Sequence, residues 1–162
     1  MKALSQEGTL KYGFAKSCIR PTLPSSSPFI RAKGVRKGKS LEKKTVLSVV
    51  DDDESVRVAT SKLLRLHGYI VHAFASPEEF LRSSCLGETR CLIADIRMPG
   101  MNGLALQERL RAEGNPTPVI FMTAFPDAKS QARALKEGAV CILSKPFDGE
   151  TLIGCVDDAL RR

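Results

Sequence analysis

Tryptophan is absent from this chain, and its histidines, cysteines and apolar runs are too few or too scattered to support several common chemistries. His67 and His72 fall at a helix end and in a strand and read as structural, so a zinc site lacks the clustered His and Cys ligands it needs. The five cysteines, Cys18, Cys85, Cys91, Cys141 and Cys155, are odd in number and form no C-x-x-C pair. Cys91 and Cys141 lie inside apolar strand-like runs, where a free thiol acts as a small hydrophobe. A reducing cytosol, and hence a cytoplasmic protein, is the expectation. No stretch approaches the roughly 18 uninterrupted apolar residues of a membrane span, and the amino terminus lacks the apolar block of a secretion signal.

Acids are scarce at the start. Residues 1–44 carry 11 Lys and Arg against 2 acids, whereas residues 45–162 carry 14 against 16, so the net charge of +7 belongs to the amino-terminal stretch. That stretch holds Pro21, Pro24, Pro28 and the run Ser25 to Ser27, has few apolar residues at helical or strand spacing, and reads as a disordered basic tail. Without regularly spaced aromatics or a folded reader, it is expected to be a solvated arm and not a nucleic-acid interface. Gly34-Val35-Arg36-Lys37-Gly38-Lys39-Ser40 imitates a phosphate loop, but it is one residue short between its glycines and follows no strand.

From residue 45 the pattern alternates between strand-like and helix-like. Strands are expected at 46–50, 69–74, 91–94, 118–122 and 140–143, and helices at 54–67, from Pro77 to about 84, 104–113, 127–137 and 148–160. In the first helix Val56, Val58, Ala59, Leu63 and Leu64 are expected to share a face, and Gly68 to end it. Ser76 before Pro77 is a good cap. Strands alternating with helices predict an α/β fold: a flavodoxin-like, doubly wound, five-stranded parallel sheet of order 2-1-3-4-5, with a ligand site at the carboxyl edge.

That edge receives Asp51, Asp52 and Asp53, then Asp95, Thr123 and Lys145. Crowded carboxylates disfavour one another's ionisation, and a hard cation relieves the repulsion. Oxygen ligands with room for water and phosphate suit Mg²⁺. Asp95 stands alone at the end of the central strand and is the best candidate nucleophile, with Asp51 and Asp52 beside it for the metal. Lys145 can neutralise phosphoryl oxygens, and Thr123 can donate a hydrogen bond to one of them. Asp53 reads as a helix cap.

Val49-Val50-Asp51-Asp52, Asp95-Ile96-Arg97-Met98-Pro99-Gly100-Met101-Asn102-Gly103, Met122-Thr123-Ala124 and Lys145-Pro146-Phe147 closely resemble the receiver domain of bacterial two-component response regulators. The match runs over about residues 45–161, and Arg97-Met98-Pro99 and Gly138-Ala139-Val140 make it most like the nitrogen-fixation type. The resemblance implies that Asp95 takes a phosphoryl group from the phosphohistidine of a sensor histidine kinase or phosphotransfer protein. It assigns Mg²⁺ to Asp52, Asp95 and the backbone carbonyl of Arg97, with Asp51 acting partly through water. Thr123 becomes the switch hydroxyl and Lys145 the phosphate partner. The fourth helix, fifth strand and fifth helix become the face that changes, open to an output partner or a homodimer. Phe125 falls where the family tunes hydrolysis of the phosphoaspartate. Ile142 departs from the family, which usually has Tyr or Phe there to report the switch.

An alternative stays open. Asp51-Asp52-Asp53 after a strand also resembles the Asp-x-Asp motif of haloacid-dehalogenase-like phosphatases, with Asp51 as nucleophile and Asp53 as acid and base. That family needs an acidic cluster on a strand after the lysine, whereas Asp157 and Asp158 fall in the last helix. No helix-turn-helix or catalytic domain follows the final helix, so a stand-alone receiver is expected, or else the receiver fragment of a DNA-binding transcriptional regulator. Neither reading makes the receiver an enzyme beyond its own phosphorylation and slow dephosphorylation.

Overall fold

The computed structural model describes residues 45–162, so the basic stretch, Cys18 and the imitation phosphate loop lie outside the described residues. Five strands, β1 (Val46–Val50), β2 (Ile70–Phe74), β3 (Cys91–Asp95), β4 (Val119–Thr123) and β5 (Cys141–Ser144), form one parallel sheet in the order β2-β1-β3-β4-β5. Between and after them run α1 (Glu54–Leu66), α2 (Pro77–Arg82), α3 (Gly103–Ala112), α4 (Ala128–Lys136) and α5 (Gly149–Leu160). This is the doubly wound order read from the sequence.

Period-two alternation divides the strands between two cores. Leu47, Val49, Cys91, Ile93, Ile120, Met122 and Leu143 face α1 and α5, packing on Leu64, Leu152 and Val156. Val50, Leu92, Ala94, Phe121 and Ile142 face the other way, against Phe80 of α2, Leu104, Leu106 and Leu110 of α3, and Ala134 of α4. Each fully buried Leu, Ile or Phe contributes about 1.5–3 kcal/mol. β1, β3 and β4 are covered on both faces, which is why they read as near-continuous apolar runs, with the one interior polar residue, Ser48 of β1, buried against the Thr89 hydroxyl.

All five helices begin on a side-chain cap: Asp53, Ser76, Asn102, Asp127 and Asp148 each accept from a backbone N–H in the first turn. Each cap is worth about 1 kcal/mol. Gly68, at φ +89, ends α1 as expected.

Three expectations need correction. In α1 the buried residues are Thr60, Ser61 and Leu64, while Val58 is 57% exposed, because a turn of 100° per residue carries position 58 away from the stripe through 56, 60, 63 and 64. α2 stops at Arg82, short of residue 84, because Ser83 turns extended and both its N–H and its hydroxyl donate to the Phe80 carbonyl. Cys141 is not a free thiol: it forms a disulfide with Cys155, whose Cα lies 6.2 Å away once α5 folds back over β5. A separation of 14 residues carries no local signature of that pairing. Cys85 and Cys91 are free.

Candidate functional site

The carboxyl ends of β1, β3, β4 and β5 meet as the parallel register requires. Asp95 pairs with Met122, placing Thr123 one residue farther along the neighbouring strand, and Thr123 pairs with Ser144, immediately before Lys145. Asp95 and Thr123 are the last residues of their strands, so sheet hydrogen bonding fixes their backbones. The backbone ladder continues past them, with Ile96 N–H on the Met122 carbonyl at 2.9 Å and Lys145 N–H on the Thr123 carbonyl at 2.8 Å.

Asp51, Asp52 and Asp95 each offer a carboxylate oxygen, all within 4.8 Å of one another. Their environments differ. Asp51 is fully buried and both its oxygens are engaged: Oδ1 accepts from the Asp53 N–H at 3.0 Å and Oδ2 from Lys145 Nζ at 2.7 Å. Asp52 is exposed. Asp95 is 8% exposed; Lys145 Nζ stands 3.6 Å from its Oδ2, while its Oδ1 is buried with no hydrogen-bond partner among the described residues. Burial raises the Asp95 carboxyl above the usual carboxylate range; the Lys145 ammonium and the Ile96 and Arg97 backbone oppose this, and the Asp51 charge adds to it. A buried carboxylate oxygen without a donor is costly, and a hard cation or a bond to phosphorus relieves that cost. The all-oxygen set fits a divalent cation of the Mg²⁺ kind.

Thr123 is buried, and its hydroxyl oxygen accepts from the Phe125 N–H at 3.2 Å, leaving its proton available for donation. Asp53 caps α1 through Ser55 and Val56, as expected. All of the anticipated residues, Asp51, Asp52, Asp95, Arg97, Thr123 and Lys145, therefore sit at one sheet edge or in the loops leaving it.

Several supporting residues were not anticipated. Arg57 donates to the carbonyls of Asp51, at 2.7 Å, and Asp52, at 3.4 Å, pinning the loop that presents both acids. Glu78 accepts from the Met101 N–H at 3.1 Å and so braces the loop after Asp95 from the side of α2. Arg97, expected to act through its carbonyl, also places its guanidinium 5.4 Å from the Phe125 ring centre and 3.6 Å from Asp127. Gly103 lets α3 approach, since a Cβ there would lie 2.2 Å from the Asp95 carbonyl oxygen. Gly103 and Arg97 carried a sequence signal, as parts of the motif that follows Asp95; the roles of Arg57, Glu78 and the Arg97 guanidinium depend on which elements become neighbours.

The family model of the response regulator receiver domain matches residues 47–157. The chain belongs to that family. Receiver domains are the signalling modules of two-component systems, and this one is similar to the response regulator protein TodT of Pseudomonas putida, 38% identical over 120 residues that make up 74% of this chain and 53% of that protein. It is 34% identical to the transcriptional regulatory protein FixJ of Bradyrhizobium diazoefficiens over 114 residues, 70% of this chain and 56% of that one. The chain thus spans about half the length of these curated relatives. The crystal structure of FixJ-N superposes with a TM-score of 0.67 at 30% identity, covering 74% of this receiver and 96% of that chain. The likeness to nitrogen-fixation regulators holds. Among the described residues, no helix of the receiver is long and apolar enough to cross a membrane.

Proposed function

We propose that this receiver accepts a phosphoryl group on Asp95 from the phosphohistidine of a sensor histidine kinase or phosphotransfer protein in the cytoplasm, in a Mg²⁺-dependent reaction. The observation that carries this reading is the contrast between carboxylates: both Asp51 oxygens are engaged, whereas Asp95 Oδ1 is buried and unpartnered. In the transfer an Asp95 oxygen attacks phosphorus, the P–N bond breaks, and the histidine leaves with its electron pair and takes up a proton. Lys145 neutralises the phosphoryl oxygens from its position between Asp51 and Asp95, and Thr123 donates its hydroxyl proton to one of them. Asp52, Asp95 and the Arg97 carbonyl would hold Mg²⁺, with Asp51 beside them, and the ion would supply additional positive charge.

Thr123 also holds the Phe125 N–H, and so couples the acceptor to the loop that leads into α4. The face made by α4, β5 and α5 then meets an output partner or a second receiver. The phosphatase reading is disfavoured because Asp157 and Asp158 lie in α5 and not on a strand, so the acidic cluster that reading needs is not formed by them. That these residues form the receiver of a DNA-binding transcriptional regulator is the second reading, supported by relatives such as FixJ and by the half-length match.

Intact mass after incubation with acetyl phosphate tests the site. One phosphoryl adduct that requires Mg²⁺ and is lost with Asp95→Asn is expected. An adduct that persists in Asp95→Asn would overturn the assignment.

A further inference from the structure

Cys141 and Cys155 take no part in the acceptor chemistry, yet among the described residues they are bonded to each other while Cys85 and Cys91 are not. Cys141 on β5 is 3% exposed and Cys155 on α5 is 2% exposed, both within the core between the sheet and α1 and α5. Their Cα separation of 6.2 Å falls inside the span of about 4.4–6.8 Å that disulfides bridge. The segment they close contains Lys145, Pro146 and Phe147, so the bond makes a ring of the loop that carries the lysine of the acceptor pocket.

We propose that Cys141 and Cys155 are a redox modification site, a reversible dithiol and disulfide pair oxidised by a peroxide, which fastens α5 to β5 behind the acceptor pocket. One thiolate attacks a peroxide oxygen, the O–O bond breaks, and the departing hydroxide is protonated to water, leaving a sulfenic acid. The second thiolate attacks the sulfenic sulfur, the S–S bond forms, the S–O bond breaks, and a second water leaves. Two electrons pass from the sulfurs to one hydrogen peroxide, and a dithiol reductant reverses the exchange.

Position argues for a switchable bond. A cytoplasmic receiver sits where stable disulfides are rare and those that form are mostly transient or sensing; this clause rests on the proposed function. The pair joins α5 to β5, an edge strand of the sheet, and local opening at that edge gives the oxidant its way in. Cys91 shows what burial does without a partner: its thiol is pushed up to about 12 by loss of hydration, and it stays a packing residue.

Peptide mapping of the full chain tests this without any variant. Trypsin does not cut between Lys145 and Pro146, so both cysteines fall in one peptide, residues 137–161. After treatment with hydrogen peroxide and alkylation in denaturant, that peptide is expected two hydrogens lighter and unalkylated. Prior reduction with dithiothreitol should give it two alkyl groups. Full alkylation in protein whose half-buried Cys85 has already been oxidised would overturn the site, as would bonding of either cysteine to a third thiol. The oxidised chain should also melt several degrees above the reduced one, with the difference lost in Cys155→Ser; equal melting in both redox states would overturn the fastening of α5. Neither readout involves phosphate, so failure of the acceptor assignment and failure of the redox site are distinguishable.

Discussion

At the scale of residues, the site is organised by unequal treatment of like groups. Asp51 has an ammonium and a backbone N–H, whereas Asp95 has a raised carboxyl caused first by burial. A carboxyl raised in the folded state favours folding at low pH, and that contribution is lost as pH climbs from the unfolded value through the folded one. At neutral pH the ionised Asp95 is therefore a burden on the metal-free fold. Asp95→Asn is expected to raise stability at pH 7, with the advantage shrinking toward pH 4; urea unfolding at the two pH values checks the sign. A second expectation concerns Phe125, which is 66% exposed but carries the Arg97 guanidinium over its ring. If the ring shields the acyl phosphate from water, Arg97→Ala removes a contact worth about 0.5–1 kcal/mol and speeds dephosphorylation roughly two- to fivefold. Phe125→Asn should act in the same direction. Loss of the radiolabelled adduct with time measures both, and unchanged rates would end the shielding idea.

At the scale of elements, the loop between β3 and α3 is where backbone packing reaches the chemistry. Gly103 opens α3 directly against the Asp95 carbonyl, and the atoms a side chain there would strike belong to the backbone and to the Phe121 ring. Gly103→Ala should therefore cost about 1–3 kcal/mol and slow formation of the acetyl phosphate adduct, because relief of the clash moves the acceptor itself. Parallel unfolding and mass measurements separate the two effects; a variant of normal stability and normal rate would show that α3 yields freely. The strands, helices and the Asp95 motif were legible because they rest on local signals: apolar runs ending in acids, caps before helices, glycine after them. What was not legible depends on pairs brought together late. The hold of Glu78 on Met101, the reach of Arg97 to Asp127 and the bond between Cys141 and Cys155 join residues whose neighbours exist only after the sheet is wound. Ile142 lies between these cases: its departure from the family aromatic was plain, and the structure buries it at 2% among Phe121 and Ala134, where a branched side chain fills the core.

At the scale of the whole molecule, the winding order gathers acids from separate parts of the chain, and only the native sheet holds them together. Asp51 and Asp52 follow the first strand and Asp95 ends the third, so an unfolded chain presents no comparable cluster. A ligand that binds the folded state alone raises stability by mass action. Mg²⁺ at ten times its dissociation constant should add about 1.4 kcal/mol, or roughly 3–8 °C in melting temperature, and each further tenfold of Mg²⁺ should add about the same again. Asp52→Asn distinguishes coordination from general ionic effects. Asp52 is exposed and, among the described residues, its side chain makes no hydrogen bond that helps hold the loop, whose carbonyls are instead pinned by Arg57. The variant should therefore melt near the native temperature without metal while losing most of the Mg²⁺ increment. Calcium and sodium titrations at matched ionic strength complete the comparison. An increment that survives in Asp52→Asn would remove this carboxylate from the ligand set, leaving the cation to Asp51, Asp95 and the backbone.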